Sequence, residues 1–286
     1  MITGIPSTLA DLDTLYPKIY DDTLFVARDR ALMPQLVTQT QGSTWAVRYI
    51  PIYNELTVAT VSEGGTPTAQ QFTKGTADSV TPAMRRIKAA LTDQRVMTDP
   101  AAAGNDLATE AGLAMAKQVD KDLIAEFANF GGGDMGTAGS ALTLSRCAAA
   151  IAVLQNAAAM GRANVVLQPF SWYSVWKELT QAGVTTRAAS ASDTANQAMR
   201  DYLVNEFQGA DWYSTNNIGT GTAAVNGAFT REAIELDTRV PLSPEVVRDA
   251  DSMAWWYYWN MGYGTGTPRS ANGVKLTATA SVPSSF

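Results

Sequence analysis

Two alternating runs flank a long polar loop, and a helical pattern of unusual length follows at once. Trp45, Val47 and Tyr49 alternate with Ala46, Arg48 and Ile50. Leu56, Val58 and Thr60 then alternate with Thr57, Ala59 and Val61. Both stretches of 45–61 predict strands. The loop SEGGTPTAQQFTKGTAD contains Gly64, Gly65, Pro67 and Gly75 and predicts a flexible tip. The return run, 80–97, carries Arg85, Arg86 and Lys88. Such charges protect an exposed strand edge from indiscriminate pairing.

Asp99 followed by Pro100 predicts a helix start, an N-cap with proline at the first helical position. Leu107, Ala111, Met115, Val119, Leu123 and Phe127 form one apolar stripe at four-residue steps. The pattern ends near Phe130, before three glycines at 131–133. At 1.5 Å per residue it spans about 45 Å. Gly104 and Gly112 interrupt it as candidate flex points. An arm this long has little of its own chain to pack against. It makes physical sense if the partner surface belongs to another copy, which points to an assembly protein.

Elsewhere the signals are shorter. In residues 1–43, Leu9, Leu12, Leu15 and Tyr16, then Leu24, Phe25, Leu32 and Leu36, fall at helical spacing broken by Pro17 and Pro34. That predicts an arm with short helices. An alanine-rich helix is expected at about 145–160, then a buried strand at Val165, Val166 and Leu167, then a helix from Ser171 to Gly183. A surface loop at 184–196, a helix at about 195–206 and a strand at 211–214 follow. Three strand candidates occupy the last third: 223–230 leading into REAIELDTRV, the aromatic block MAWWYYWNMGY at 253–263, and 274–280.

Composition narrows the function classes. The chain has 286 residues, 46% hydrophobic and 17% charged, enough for one large domain or two modest ones with a sizeable core. A net charge of −6 argues against electrostatic nucleic-acid binding and suits a wall that faces a polyanion without sticking to it. Histidine is absent, which removes the usual general base and the commonest metal ligand. The single cysteine, Cys147, lies in an apolar helical run and is expected in the core. No apolar run of membrane-spanning length exists, and the start lacks a signal-peptide pattern, so a soluble protein folding in a reducing cytoplasm is expected.

Candidate chemistry is sparse. GGGDMG and GTGT lack phosphate-loop patterns and read as turns. Asp120 and Asp122 lie about 200° apart on a helix and cannot converge. With Lys117 and Lys121, Asp120 reads as a solvated ion-pair face. SVWK at 174–177 lacks the companion motifs of a serine–lysine dyad. No catalytic residue, cofactor or metal site is predicted. In the aromatic block, Trp255, Tyr257 and Trp259 share one strand face, and Trp256 and Tyr258 the other. A strand buried on both faces is expected. The rival readings are a carbohydrate platform, a membrane belt, or the ligand pocket of an enzyme lined by Trp255 or Trp256.

The ordered segments resemble the major capsid proteins of tailed bacteriophages with the Hong Kong 97-type fold, over nearly the whole chain. Residues 1–43 resemble the N-terminal arm, and 44–98 the extended β-hairpin loop that reaches over a neighbour. TDPAAAGNDLATEAGLAMAKQVDKDLIAEF resembles the spine helix. SRCAAAIAVLQNAAAMGRANVVLQPFSWYSVWKEL is similar to the family's helix, strand with closing proline, and next helix. DWYSTNNI is similar to a strand of the axial domain. GAFTREAIELDTRVPLSPEVVRDADSMAWWYYWNMGYGTGTPRSANGVKLTATA resembles the family's C-terminal end.

The resemblance implies an α+β subunit. It places the spine helix and peripheral domain at 99–160 with part of 223–286, and the axial domain at 161–222. It implies a non-enzymatic coat protein that forms hexamers and pentamers of an icosahedral shell around double-stranded DNA, without reading its sequence and without a membrane. Trp45, Glu63, Lys74, Arg85, Arg86 and Lys88 become expected subunit-interface residues. One family member cross-links a loop lysine to a neighbour's asparagine. Lys74 or Lys88 suits the lysine role, but no asparagine motif matches, so no cross-link is expected. A portal protein is an expected partner, and a decoration protein a further one. Read from Met1, the chain shows no charge-rich helical extension, which implies a separate scaffolding protein and no trimming. The implied location is the virion, assembled in the host bacterial cytoplasm. An encapsulin-like compartment shares the fold and is the nearest alternative.

Overall fold

The computed structural model describes residues 31–51, 53, 56–75, 78–98, 100–157, 161–182, 206, 207 and 209–282. The expected arm over 1–30, the loop at 184–196, most of the helix at 195–206 and the Asp99 cap lie outside them.

The described chain starts with a short helix α1 (Met33–Leu36), then β1 (Thr38–Gln41) and β2 (Arg48–Ile50). After the long loop come β3 (Asp78–Val80), β4 (Ala83–Thr92), α2 (Asp93–Thr98) and the long α3 (Pro100–Ala125), which tightens into a 3-10 turn over Glu126–Asn129. Then follow α4 (Leu144–Asn156), β5 (Ala163–Leu167), α5 (Pro169–Ala182), β6 (Glu206–Phe207), β7 (Ala210–Ser214), β8 (Gly221–Thr230), β9 (Glu235–Asp249), β10 (Ala254–Gly266) and β11 (Gly273–Ala280).

Two larger sheets organise most of these elements, and β2 with β3 forms a two-stranded third. The first has order β1-β9-β10-β4, with β1 parallel to β9 and the other pairs antiparallel. The second has order β11-β8-β5-β7-β6. Within it β5 and β7 run parallel, joined through a crossover that contains α5.

Helix α3 serves both halves of the core. Its first half puts Ala108, Ala111 and Met115 against Leu91, Leu242, Tyr257 and Trp259 of the first sheet. Its second half puts Val119, Leu123 and Ile124 into a cluster with Met33, Val37, Phe229 and Ile234. Phe127 and Phe130, just beyond it, stack at 5.3 Å in that cluster. The predicted stripe is the one the fold buries, except that Leu107 is half-buried. A third cluster, with Cys147, Leu154, Trp172, Trp212 and Leu276, fills the space between α4, α5 and the second sheet.

Several expectations need correction. Only Arg48–Ile50 of 45–61 forms a strand, with three pairs to Asp78–Val80 and one further bridge, Tyr53 to Lys74. Residues 56–61 carry strand alternation but pair with no strand. Alternation specifies a face; a ladder also needs a neighbour, and among the described residues none lies alongside. The return run pairs with β10 instead, and its end is helix α2. The helix is 26 residues long, about 39 Å, with the 3-10 turn extending it. The last third has four strands, since 235–249 is the 15-residue β9. Pro241 and Pro244 obscured it. Both lie beyond Thr238, where the pairing of β9 with β1 ends. The GTGT beginning at Gly264 is the end of β10 rather than a turn. α5 starts at Pro169, two residues early. The Gln168 side chain caps it, accepting from the N–H groups of Phe170 (2.6 Å) and Ser171 (3.3 Å).

Candidate assembly surface

The loop is rooted on the first sheet by shape. Gly262, Gly264 and Gly266 fall at alternate positions of β10 and so face one side. A β-carbon on Gly262 would stand 2.7 Å from the Trp45 ring, and one on Gly264 2.6 Å from Val80. The glycines form a smooth track on which both ends of the loop lie. Arg48 adds an ion pair to Glu235 of β9 (2.7 Å).

Beyond this root the loop exposes what a globular chain normally hides. Tyr49, Tyr53, Leu56, Val61 and Phe72 are each roughly half exposed and Val58 completely so. Tyr53 and Phe72 stack at 4.8 Å, but only on each other. The tip is a turn in which the Gly65 N–H donates to the Ser62 carbonyl (2.8 Å). Gly64, at φ 78°, occupies the left-handed position that such a turn requires. Glu63 sits on this tip, exposed. Lys74 forms the bridge to Tyr53.

The three cations of β4 divide between its faces. Arg85 turns toward α3, where Asp122 accepts from its guanidinium (2.9 Å) and from the Tyr263 hydroxyl (2.7 Å). Burial first, then the Asp122 carboxylate, push the Tyr263 phenol well above its ordinary range. Arg86 and Lys88 lie on the opposite face. Arg86 pairs with Glu245 (3.1 Å) and lies 4.8 Å over Tyr258, while the Lys88 ammonium lies 3.8 Å over Trp256. Such contacts are worth about 0.5–1 kcal/mol each at exposed sites.

The aromatic block is therefore not buried on both faces. Tyr257 and Trp259 pack on α3. Trp256 and Tyr258 are half-buried on the outer face, roofed by cationic side chains. The expected reason for burial was right for one face only, because among the described residues no second layer covers the other. A groove of about 870 Å³ opens beside the loop root, lined by Ile50, Tyr53, Glu232 and Arg269 among others, with none of the aromatic block. Among the described residues no group of three or more His, Cys, Asp or Glu side chains could hold a metal ion, and no described helix is long and apolar enough to cross a membrane.

Asp120 overturns the solvated-face reading. It is only 2% exposed. Its carboxylate accepts from the backbone N–H of Met33 (3.0 Å) and Leu32 (3.3 Å) and from the Asn217 amide (3.2 Å). Helix α1 has no cap of its own, so Asp120 satisfies its orphan donors from a distant element. Burial raises its pKa, and the three hydrogen bonds oppose that rise. The signal was present: Ala116, Asp120, Leu123 and Phe127 share one helix face, and the other three are apolar. Asp122 points elsewhere, as expected. Gly112 is buried in an unbroken helix, and Gly104 lies in its first turns.

A family model described as phage capsid protein matches residues 78–275. Among solved structures, one from Mycobacterium phage Che8 aligns at TM-score 0.68 with 20% identity, covering 86% of this chain and 90% of that one. The capsid structure of the cyanophage P-SCSP1u aligns at TM-score 0.67 with 16% identity, covering 88% and 89%. The holo-SrpI encapsulin complex from Synechococcus elongatus PCC 7942 aligns at TM-score 0.63 with 9% identity, covering 89% of each chain. No curated protein sequence matches significantly.

Proposed function

The chain belongs to the phage capsid protein family and has the Hong Kong 97-type fold, and on that premise we propose how it builds its shell. Copies join into hexamers and pentamers of an icosahedral wall around double-stranded DNA. The 44–98 loop reaches over a neighbouring subunit. Trp45, Glu63, Lys74, Arg86 and Lys88 meet that neighbour, while Arg85 fixes β4 to the spine helix α3. The carrying observation is the loop itself, with Tyr49, Tyr53, Leu56, Val58, Val61 and Phe72 held out from the chain that makes them. Exposed apolar side chains concentrated on one projection mark an interaction surface. Each contact is weak, and closure of a shell multiplies them.

Gly104 and Gly112 serve as flex points of α3 if the wall changes shape during maturation. The domain division assigns 99–160, with part of the C-terminal strands, to the peripheral part and 161–222 to the axial part. A portal protein, a separate scaffolding protein and a decoration protein complete the particle, assembled in the host cytoplasm and carried in the virion. Encapsulin-like use of the same fold is the weaker reading, because the family match is to phage capsid proteins. Negative-stain electron microscopy with sedimentation of the purified chain tests the proposal. Capsomers, tubes or polyhedral shells are expected. A uniform monomer at high concentration overturns it, and shells that hold a cargo enzyme instead of DNA favour the compartment.

A further inference from the structure

Two stretches of backbone in this chain lack partners in complementary ways. The first is the outer edge of β4. Ala83–Thr92 pairs with β10 along one side for ten residues and with no described strand along the other. The remaining sheet edges are short, covered or, in β9 beyond Thr238, interrupted by Pro241 and Pro244. β1 has four residues and β6 two. The outer edge of β11 is bonded by the segment before α4: Met135 N–H to the Lys275 carbonyl (2.9 Å), Lys275 N–H to Gly133 (2.9 Å) and Thr279 N–H to Ser140 (2.8 Å). A bare edge of ten residues is a template for another strand.

The second stretch is 56–61, which alternates like a strand and pairs with none. One of its residues is already held in strand geometry. The Thr57 N–H donates to Gln70 Oε1 (2.9 Å), and the Thr57 carbonyl accepts from Gln70 Nε2 (2.5 Å). A single side-chain amide can bond both groups only if they point the same way, as they do in extended backbone. In a strand the N–H and C=O of one residue share a side, and those of its neighbours take the opposite side. Gln70 therefore occupies the side presented by Thr57, Ala59 and Val61. The groups of Leu56, Val58 and Thr60 face the other way.

We propose that residues 56–61 of one copy add as a strand to the bare edge of β4 in another copy, through the backbone groups of Leu56, Val58 and Thr60. This rests on the shell-forming reading and specifies its contact. From Tyr53 to the turn at Gly64 the loop extends at most about 36 Å, far enough to leave its own subunit. Main-chain ladders supply the affinity in this mode of recognition, and side chains supply the register. Glu63, just past the segment, brings a negative charge toward an edge strand whose outer face carries Arg86 and Lys88. Those cations keep two β4 edges from pairing with each other.

A proline scan of the full chain tests parity, read by electron microscopy and sedimentation of assembled shells. Proline removes one N–H and is tolerated where that N–H faces away from the ladder. Val58→Pro and Thr60→Pro are expected to lose shells, while Ala59→Pro and Val61→Pro keep them. Measured on unassembled subunits, all four should retain the wild-type unfolding midpoint, since 56–61 bonds no described strand of its own chain. Four assembling variants, or four failing ones, overturn strand addition and leave the shell reading intact. A wild-type chain that forms no shells sinks that reading itself. A photo-crosslinking residue at position 58 of assembled shells should mark the 83–92 peptide of another copy; marking of any other peptide overturns the choice of β4.

Discussion

Replacing Asp120 by alanine should detach α1 from the spine helix. The variant leaves the N–H groups of Leu32 and Met33 and the Asn217 amide without their acceptor. An unsatisfied buried donor costs about 1–3 kcal/mol. Met33 N–H is fully buried and the other two partly, and removing the carboxylate also removes its own burial cost. The net loss expected is about 3 kcal/mol. Asp120→Asn keeps one acceptor oxygen and loses its charge, so about 1–2 kcal/mol is expected.

The two variants also separate by pH. Because the folded-state pKa of Asp120 is raised, the folded chain holds that proton more tightly than the unfolded one. The associated stability is complete below the ordinary carboxylate range and is lost as pH rises through the raised value. Wild type should therefore gain stability over Asp120→Asn on acidification toward that range. Denaturant unfolding across pH, with hydrogen exchange over residues 31–37, provides the assay. An alanine variant within about 0.5 kcal/mol of wild type, with exchange at 31–37 unchanged, refutes the anchoring argument.

Three further outcomes follow from the geometry. Gly262→Ala places a β-carbon 2.7 Å from the Trp45 ring, so indole fluorescence should shift toward the solvent-exposed range and stability should fall by about 1–3 kcal/mol. Gly112→Pro removes a hydrogen bond in the middle of α3 at a cost of about 3 kcal/mol, so shells should vanish from micrographs before soluble expression is lost. Burial first, then the Glu178 carboxylate, push the Cys147 thiol up to about 12, so thiol reagents at pH 8 should label the chain only after denaturation.

The parts of this fold readable in the sequence are those governed by local periodicity. The α3 stripe, the alanine-rich α4 and the buried Val165–Val166–Leu167 run all lie where their spacing puts them, because burial of one face fixes them without reference to a distant partner. The failures share one cause. Whether 56–61 joins a ladder, whether β9 runs on through Pro241 and Pro244, and whether Trp256 is covered all depend on what stands alongside. Asp120 shows the same limit at one residue: its charge argued for solvent, its helix face argued for the core, and only the uncapped α1 resolves the conflict. Of the expected interface residues, Arg85 could not be distinguished from Arg86 by type. Strand parity separates them, sending one to α3 and the other outward.

Helix α3 belongs to two hydrophobic clusters at once, with no loop between them. In mechanical language it is a beam about 39 Å long, clamped at both ends by different masonry. A push on the four-stranded sheet meets no loop along α3; short of a bend at Gly104 or Gly112, it arrives at the far end as displacement of Phe127 and its neighbours. The wall's compliance then has to come from seams between copies, and single-particle indentation should find stiffness set by those seams until the beam itself buckles.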